Sequence, residues 1–164
     1  MFELKPISKE AVPEALEKAH RYRLLNEPMQ AQSICLDVLR VEPANQVALA
    51  TLLLSLTDQF GGESSPTKAR EVLGRLTSEY ERHYYSGIIC ERAGQVAMKL
   101  RTPGGGHKAH DLFLEAMAHY EKAEAIRPAG HDDAILRWNT CARILMRTPD
   151  VKPMPLEREV VLDN

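Results

Sequence analysis

The chain has 164 residues, three cysteines and a formal net charge of −2 from 21 basic and 23 acidic side chains. Its 44% hydrophobic and 27% charged residues are the composition of an ordinary folded domain and exclude a disordered or collagen-like chain. The near balance of charge supplies no basic field for a polyanion, so no nucleic-acid partner is expected. The longest apolar run lies within Val47 to Leu56, far short of the ~20 residues that span a bilayer. Met1 to Glu10 lacks the charged-then-apolar order of a secretory signal, so the reading is a cytoplasmic protein with no membrane partner.

From the N-terminus, Ala15, Leu16, Ala19 and Tyr22, and then Ala31, Ile34, Cys35, Val38 and Leu39, recur at steps of three and four. This is the period of helices with one buried face. The break between the two falls at Asn26-Glu27-Pro28, because a proline disfavours helical geometry in the residue before it and is tolerated in the first turn of a new helix. The second helix stops before Pro43 for the same reason. Asn45 can cap a third helix through about Gln59, and Phe60 to Ser65, rich in Gly and Ser, is a loop. Pro66 opens a fourth helix with Ala69, Val72, Leu73 and Leu76. A fifth carries Tyr84, Tyr85, Ile88, Ile89, Ala93, Val96, Ala97 and Leu100 and ends at Thr102-Pro103-Gly104-Gly105-Gly106. The sixth runs from about Lys108 to Ile126. A seventh starts at Asp132 or Asp133, capped by one of these carboxylates, and extends to about Met146.

No alternating run of β-branched residues appears, so the expected fold is all-α, with a helical domain over 1–147 and a tail over 148–164. Pro149, Pro153 and Pro155 keep that tail from being helical. Met154, Leu156, Val160, Val161 and Leu162 give it more apolar side chains than a solvating tail needs. Part of Val151 to Leu162 is therefore predicted to lie extended against the helical body, and its docking onto a partner groove would make it a built-in competitor.

Internal repetition sharpens this picture. Ala116, Tyr120, Ala123 and Pro128 follow one another at gaps of four, three and five, and Ala31, Cys35, Val38 and Pro43 repeat those gaps. In spacing and residue type the first set resembles the second helix of a tetratricopeptide repeat. Ala19 and Tyr22 resemble the first helix of the same unit, and Gly87, Cys90, Gly94 and Gln95 resemble another copy of it, with Cys90 where an aromatic is usual. Ala69, Leu73 and Leu76 mark a weaker unit. The resemblance covers roughly Glu14 to Met146 and implies a right-handed superhelix of antiparallel helix pairs: three repeats plus a C-terminal capping helix. The intervals from Ala31 to Ala69 and from Ala69 to Ala116 exceed the roughly 34 residues of an undisturbed repeat, so insertions are expected near Gly61 and Gly105, with elongated helices in the third unit.

Catalytic constellations are weak by comparison. His107 and His110 share a helix face near Asp111, but no cysteine pair or HExxH motif completes a zinc site, and Gly104 to Lys108 lacks the Ser or Thr that follows the lysine of a phosphate loop. No metal or cofactor is read from these residues. Cys35, Cys90 and Cys141 form no CxxC pair and fit buried reduced thiols. Trp138 reads as core.

Function is therefore sought on the concave face that the resemblance implies, lined by the first helix of each pair. The family's inward spacing falls on Leu16, His20 and Arg23, on Ala50, Leu54 and Thr57, on Tyr84, Ile88 and Glu91, and on Ile135, Asn139 and Arg143. Leu16 and His20 stand where family members that clamp an acidic peptide terminus carry Lys and Asn, and Tyr85 replaces a later basic residue, so that clamp is missing. An apolar and aromatic strip edged by Arg23, Arg92 and Arg143 suits a partner helix or extended segment. The expectation is a non-enzymatic protein-interaction module, with self-association of the long third-unit hairpin compatible with it. The alternative is a small metal- or ligand-dependent enzyme built from His107 to Asp111 together with His131.

Overall fold

Helix boundaries follow the local signals closely. The computed structural model describes residues 1–156. A 3-10 turn at Lys9–Ala11 leads into α1 (Val12–Leu24), and α2 (Pro28–Val41) opens on its proline. Between them Asn26 adopts a φ of +59°, a left-handed conformation that asparagine tolerates better than most residues. The Oδ1 of Asn45 accepts the Ala48 N–H at 2.9 Å and so caps α3 (Gln46–Thr57). Next come α4 (Pro66–Leu73), α5 (Glu79–Lys99), α6 (Gly105–Ala125) and α7 (Asp133–Arg147). Among the described residues the only bridge between extended segments is the isolated pair Phe60 and Ser64, and the fold is all-α.

Two boundaries and one cap differ from expectation. α4 stops at Leu73, because Gly74 follows and glycine is a poor helix former. Leu76 lies beyond the helix, yet it is buried. α6 begins three residues early: Gly104, with a φ of +76°, turns the chain, and Gly105 and Gly106 are already helical. A Cβ on Gly105 would approach the Ala97 carbonyl to 3.0 Å, and one on Gly106 would collide with the Asp150 carbonyl. Close packing therefore requires these glycines, whereas the turn needs only Gly104. At the start of α7 neither carboxylate caps the helix with its side chain; Asp132 instead accepts from Arg127 Nε at 3.2 Å and Asp133 lies 3.0 Å from His131 Nε2.

Successive helices pack on one another, and α1 also touches α3, as α3 touches α5. The buried side chains form two clusters. One is built by α1 to α4 around Ala19, Cys35, Leu49, Leu53 and Leu76 and includes Ile89 of α5. The other joins α5 to α7 around Ile88, Phe113, Tyr120 and Cys141. α5 and α6 are each 21 residues long, so the extra length of this unit is helical rather than looped. They run antiparallel, because Gly87 faces Tyr120 while Gly94, seven residues on, faces Phe113, seven residues back. Each aromatic ring occupies the space that a side chain on the glycine would fill.

Val151 is buried in the second cluster, and the Nδ1–H of His107 donates to the Lys152 carbonyl at 2.8 Å. The start of the tail thus docks at the α5–α6 turn, beside Met98, Thr102 and Gly106, and not on the face formed by α1, α3 and α5 as a competitor would. Lys152 to Leu156 is exposed. Val160, Val161 and Leu162 lie outside the described residues.

Candidate functional site

Side chains of α1, α3, α5, α6 and α7 build two charged assemblies. Asp58, at the end of α3, accepts from Arg23 Nε at 2.7 Å and from Arg23 Nη2 at 3.2 Å, a two-pronged pairing that fixes orientation as well as charge. Arg92 Nη2 of α5 lies 3.8 Å from the same carboxylate. Both arginines are partly exposed, and a guanidinium carries five N–H donors, so the row retains donors for an incoming acceptor.

Deeper in, Glu91 of α5 is fully buried. A buried charge is tolerated only when it is paired and hydrogen-bonded. Tyr120 Oη of α6 donates to Glu91 Oε2 at 2.5 Å, Gln95 Nε2 donates to Oε1 at 3.4 Å, and Arg137 Nη1 of α7 lies 3.5 Å from Oε1. Burial and the neighbouring carboxylate push the Tyr120 phenol far above its ordinary range, so it remains a proton donor. Burial works against the Arg137 charge, but Glu91 together with Tyr120, Tyr84 and Cys141 offsets it and leaves the guanidinium pKa raised.

The candidate groove residues divide by burial. Thr57, Ile88 and Glu91 are buried, with 3%, 1% and 0% of their surface exposed, and present nothing to a partner; their expected place on the groove surface is corrected to the core. The Thr57 hydroxyl is spent on the Leu54 carbonyl at 2.8 Å, Ile88 packs in the second cluster, and Glu91 ties three helices together. Leu16, Arg23, Ala50, Leu54, Tyr84, Arg92, Ile135 and Asn139 are half-buried, and His20 and Arg143 are exposed. Trp138 packs on the second cluster and donates from Nε1 to Glu121 at 3.0 Å.

Where α5 and α7 begin, side by side, a pocket of about 420 Å³ opens between Tyr80, Tyr84 and Tyr85, closed off by Ile126, Pro128 and His131. The rings of Tyr80 and Tyr84 stack with centroids 6.0 Å apart and planes 8° apart, and Tyr85 meets Tyr84 edge-on at 5.2 Å. Glu81 and Asp133 add carboxylates to the wall. Burial, chiefly, raises the pKa of all three phenols, that of Tyr85 to about 12, so they stay neutral. The Tyr80 hydroxyl is buried without a hydrogen-bond partner. Sequence reading placed Tyr84 in the groove and Tyr85 at a clamp position; Tyr80, four residues before Tyr84, was not singled out, and the carboxylate of Asp133 comes from across the fold.

His107, His110 and Asp111 do not meet His131. The first three sit in the opening turns of α6 and His131 follows its far end, about 30 Å away at 1.5 Å per residue. His107 holds the tail and His131 meets Tyr80 at a tilt, with centroids 5.0 Å apart and planes 35° apart. The single site imagined from these residues is thus split into two unrelated ends of one helix. The three free cysteines are buried, and burial pushes their thiols up to about 12 for Cys35 and Cys141 and about 11 for Cys90.

One cluster was invisible to spacing. Cys90 of α5 and Glu115 and His119 of α6 bring one potential ligand atom each to within 4.8 Å of the others. No helix among the described residues is long and apolar enough to cross a membrane. No protein-family model matches the chain, and neither a curated protein nor a solved structure matches it significantly.

Proposed function

We propose that the chain is a non-enzymatic interaction module of the tetratricopeptide kind, a superhelix of helix pairs that offers the face of α1, α3, α5 and α7 to a peptide or helix of another protein. The observation that carries this reading is the pocket of Tyr80, Tyr84 and Tyr85 on that face. Its ring faces carry negative quadrupoles and its walls carry Glu81 and Asp133, a combination that attracts a cationic side chain. A lysine or arginine of the partner would enter there. The half-buried strip of Leu16, Ala50 and Leu54 would take apolar side chains, and the Arg23 and Arg92 donors an acidic one.

The test compares affinity capture from native cell extract by the wild type and by a Tyr80→Ala, Tyr84→Ala double variant. Loss of specific partners by a variant that keeps the helical circular dichroism of the wild type is the expected result. Identical capture by a folded variant overturns the reading. Tyr84→Ala with Ile88→Ala is the poorer choice, because truncating the buried Ile88 would cost about 2–5 kcal/mol of stability by itself.

A further inference from the structure

The meeting place of α4, α5 and α6 holds a second kind of chemistry. Cys90 Sγ is buried, and the Glu115 carboxylate and the His119 imidazole, one helical turn apart on α6, converge on it within 4.8 Å. The two α6 residues share a face because their separation of four positions brings side chains together on a helix. One nitrogen of His119, Nδ1, is buried with no hydrogen-bond partner, and the other ring nitrogen lies 3.9 Å from Glu115 Oε1. A buried polar atom left unpaired is costly. Sulfur, imidazole and carboxylate are the donors that zinc accepts, and three protein ligands with a water in the fourth position make a common tetrahedral set.

We infer that Cys90, Glu115 and His119 form a binding site for a divalent zinc-type ion that braces α5 against α6. On binding, the Cys90 S–H proton leaves to solvent and the thiolate and carboxylate together neutralise the two charges of the ion, while His119 binds as the neutral ring. The site stands apart from the proposed partner face: Cys90 lies about 200° around the α5 axis from Arg92 at 100° per residue. It is independent of the interaction reading.

The experiment uses the full chain, reduced and stripped of metal, titrated with Co2+ and then with Zn2+. One equivalent of Co2+ should produce a sulfur-to-cobalt charge-transfer band in the near ultraviolet and tetrahedral d–d bands in the visible, both removed by Zn2+. Cys90→Ser should abolish the charge-transfer band, whereas Cys35→Ser and Cys141→Ser should keep it. His119→Gln, at a half-exposed position that tolerates change, should weaken Zn2+ binding by more than the 10–100-fold typical of outer-shell substitutions. Absence of the charge-transfer band in the wild type overturns the assignment, as does its survival in Cys90→Ser or an unchanged affinity in His119→Gln. Should Cys90→Ser not fold, His119→Gln decides alone.

Discussion

The hydroxyl of Tyr120 donates to the carboxylate of Glu91 at 2.5 Å across the α5–α6 contact, and both side chains are fully buried. The pair fixes the rotation of one helix against the other, since neither group has water as an alternative. Removing the donor alone leaves the carboxylate short of a partner in a dry environment.

Tyr120→Phe should therefore lower stability by about 1–3 kcal/mol, the cost of an unsatisfied buried group. In a chain of this size that corresponds to a melting temperature lower by about 2–4 °C for each kcal/mol. Adding Glu91→Met to Tyr120→Phe should deepen the loss, because the largely buried Arg137 guanidinium then loses the carboxylate that compensates it. Thermal melts of the single and double variants check this; a double variant as stable as Tyr120→Phe, or more stable, would contradict it.

Gly87→Ala should destabilise although alanine is the better helix former. The new methyl would fall onto the Tyr120 ring, and overpacking costs about 1–3 kcal/mol against a propensity gain of about 1 kcal/mol. Ala123→Leu, at a fully buried position of α6, should be unfavourable for the same reason. Urea unfolding midpoints decide the sign: an unchanged or raised midpoint for either variant would mean that the α5–α6 contact yields.

Ending the chain after Thr148 should expose the α5–α6 turn. Burial of a valine side chain stabilises by about 1.5–3 kcal/mol, and Val151 is 5% exposed, so the truncated chain should melt several degrees lower and bind more of a hydrophobic dye. His107→Ala removes only the hydrogen bond to the Lys152 carbonyl and should cost less, about 0.5–1.5 kcal/mol. A truncated chain with an unaltered melt would show that Val151 contributes nothing.

The helices were legible because their punctuation is local. Pro28 and Pro66 open helices and Asn45 caps one, each through geometry confined to a few residues. The reading of Gly104 to Gly106 as a turn was half right, since the demand for Gly105 and Gly106 comes from Ala97 and Asp150, partners that no local pattern reveals. The same limit applies to function. The inward spacing of the resembled family made Glu91 a candidate, yet its surroundings come from Tyr120 and Arg137, far along the chain, and convert a groove residue into a buried tie. Cys90 was read as inert packing because its neighbours Glu115 and His119 belong to another helix. The row of Arg23, Asp58 and Arg92 was two-thirds visible; Asp58, following α3, carried no periodic signal.

Asp58 also has a consequence for how the molecule would respond when occupied. Its carboxylate holds Arg23 of α1, whose neighbours build the first buried cluster, and attracts Arg92 of α5, the helix that carries much of the second. Under the proposed function, an incoming acidic group that draws Arg92 away from Asp58 would loosen a tie between the two halves as it binds. Thermodynamic reciprocity requires the converse: whatever separates the halves frees Arg92 and raises affinity for that acidic group. Occupancy of the face and the stiffness of the molecule are then two readouts of one equilibrium.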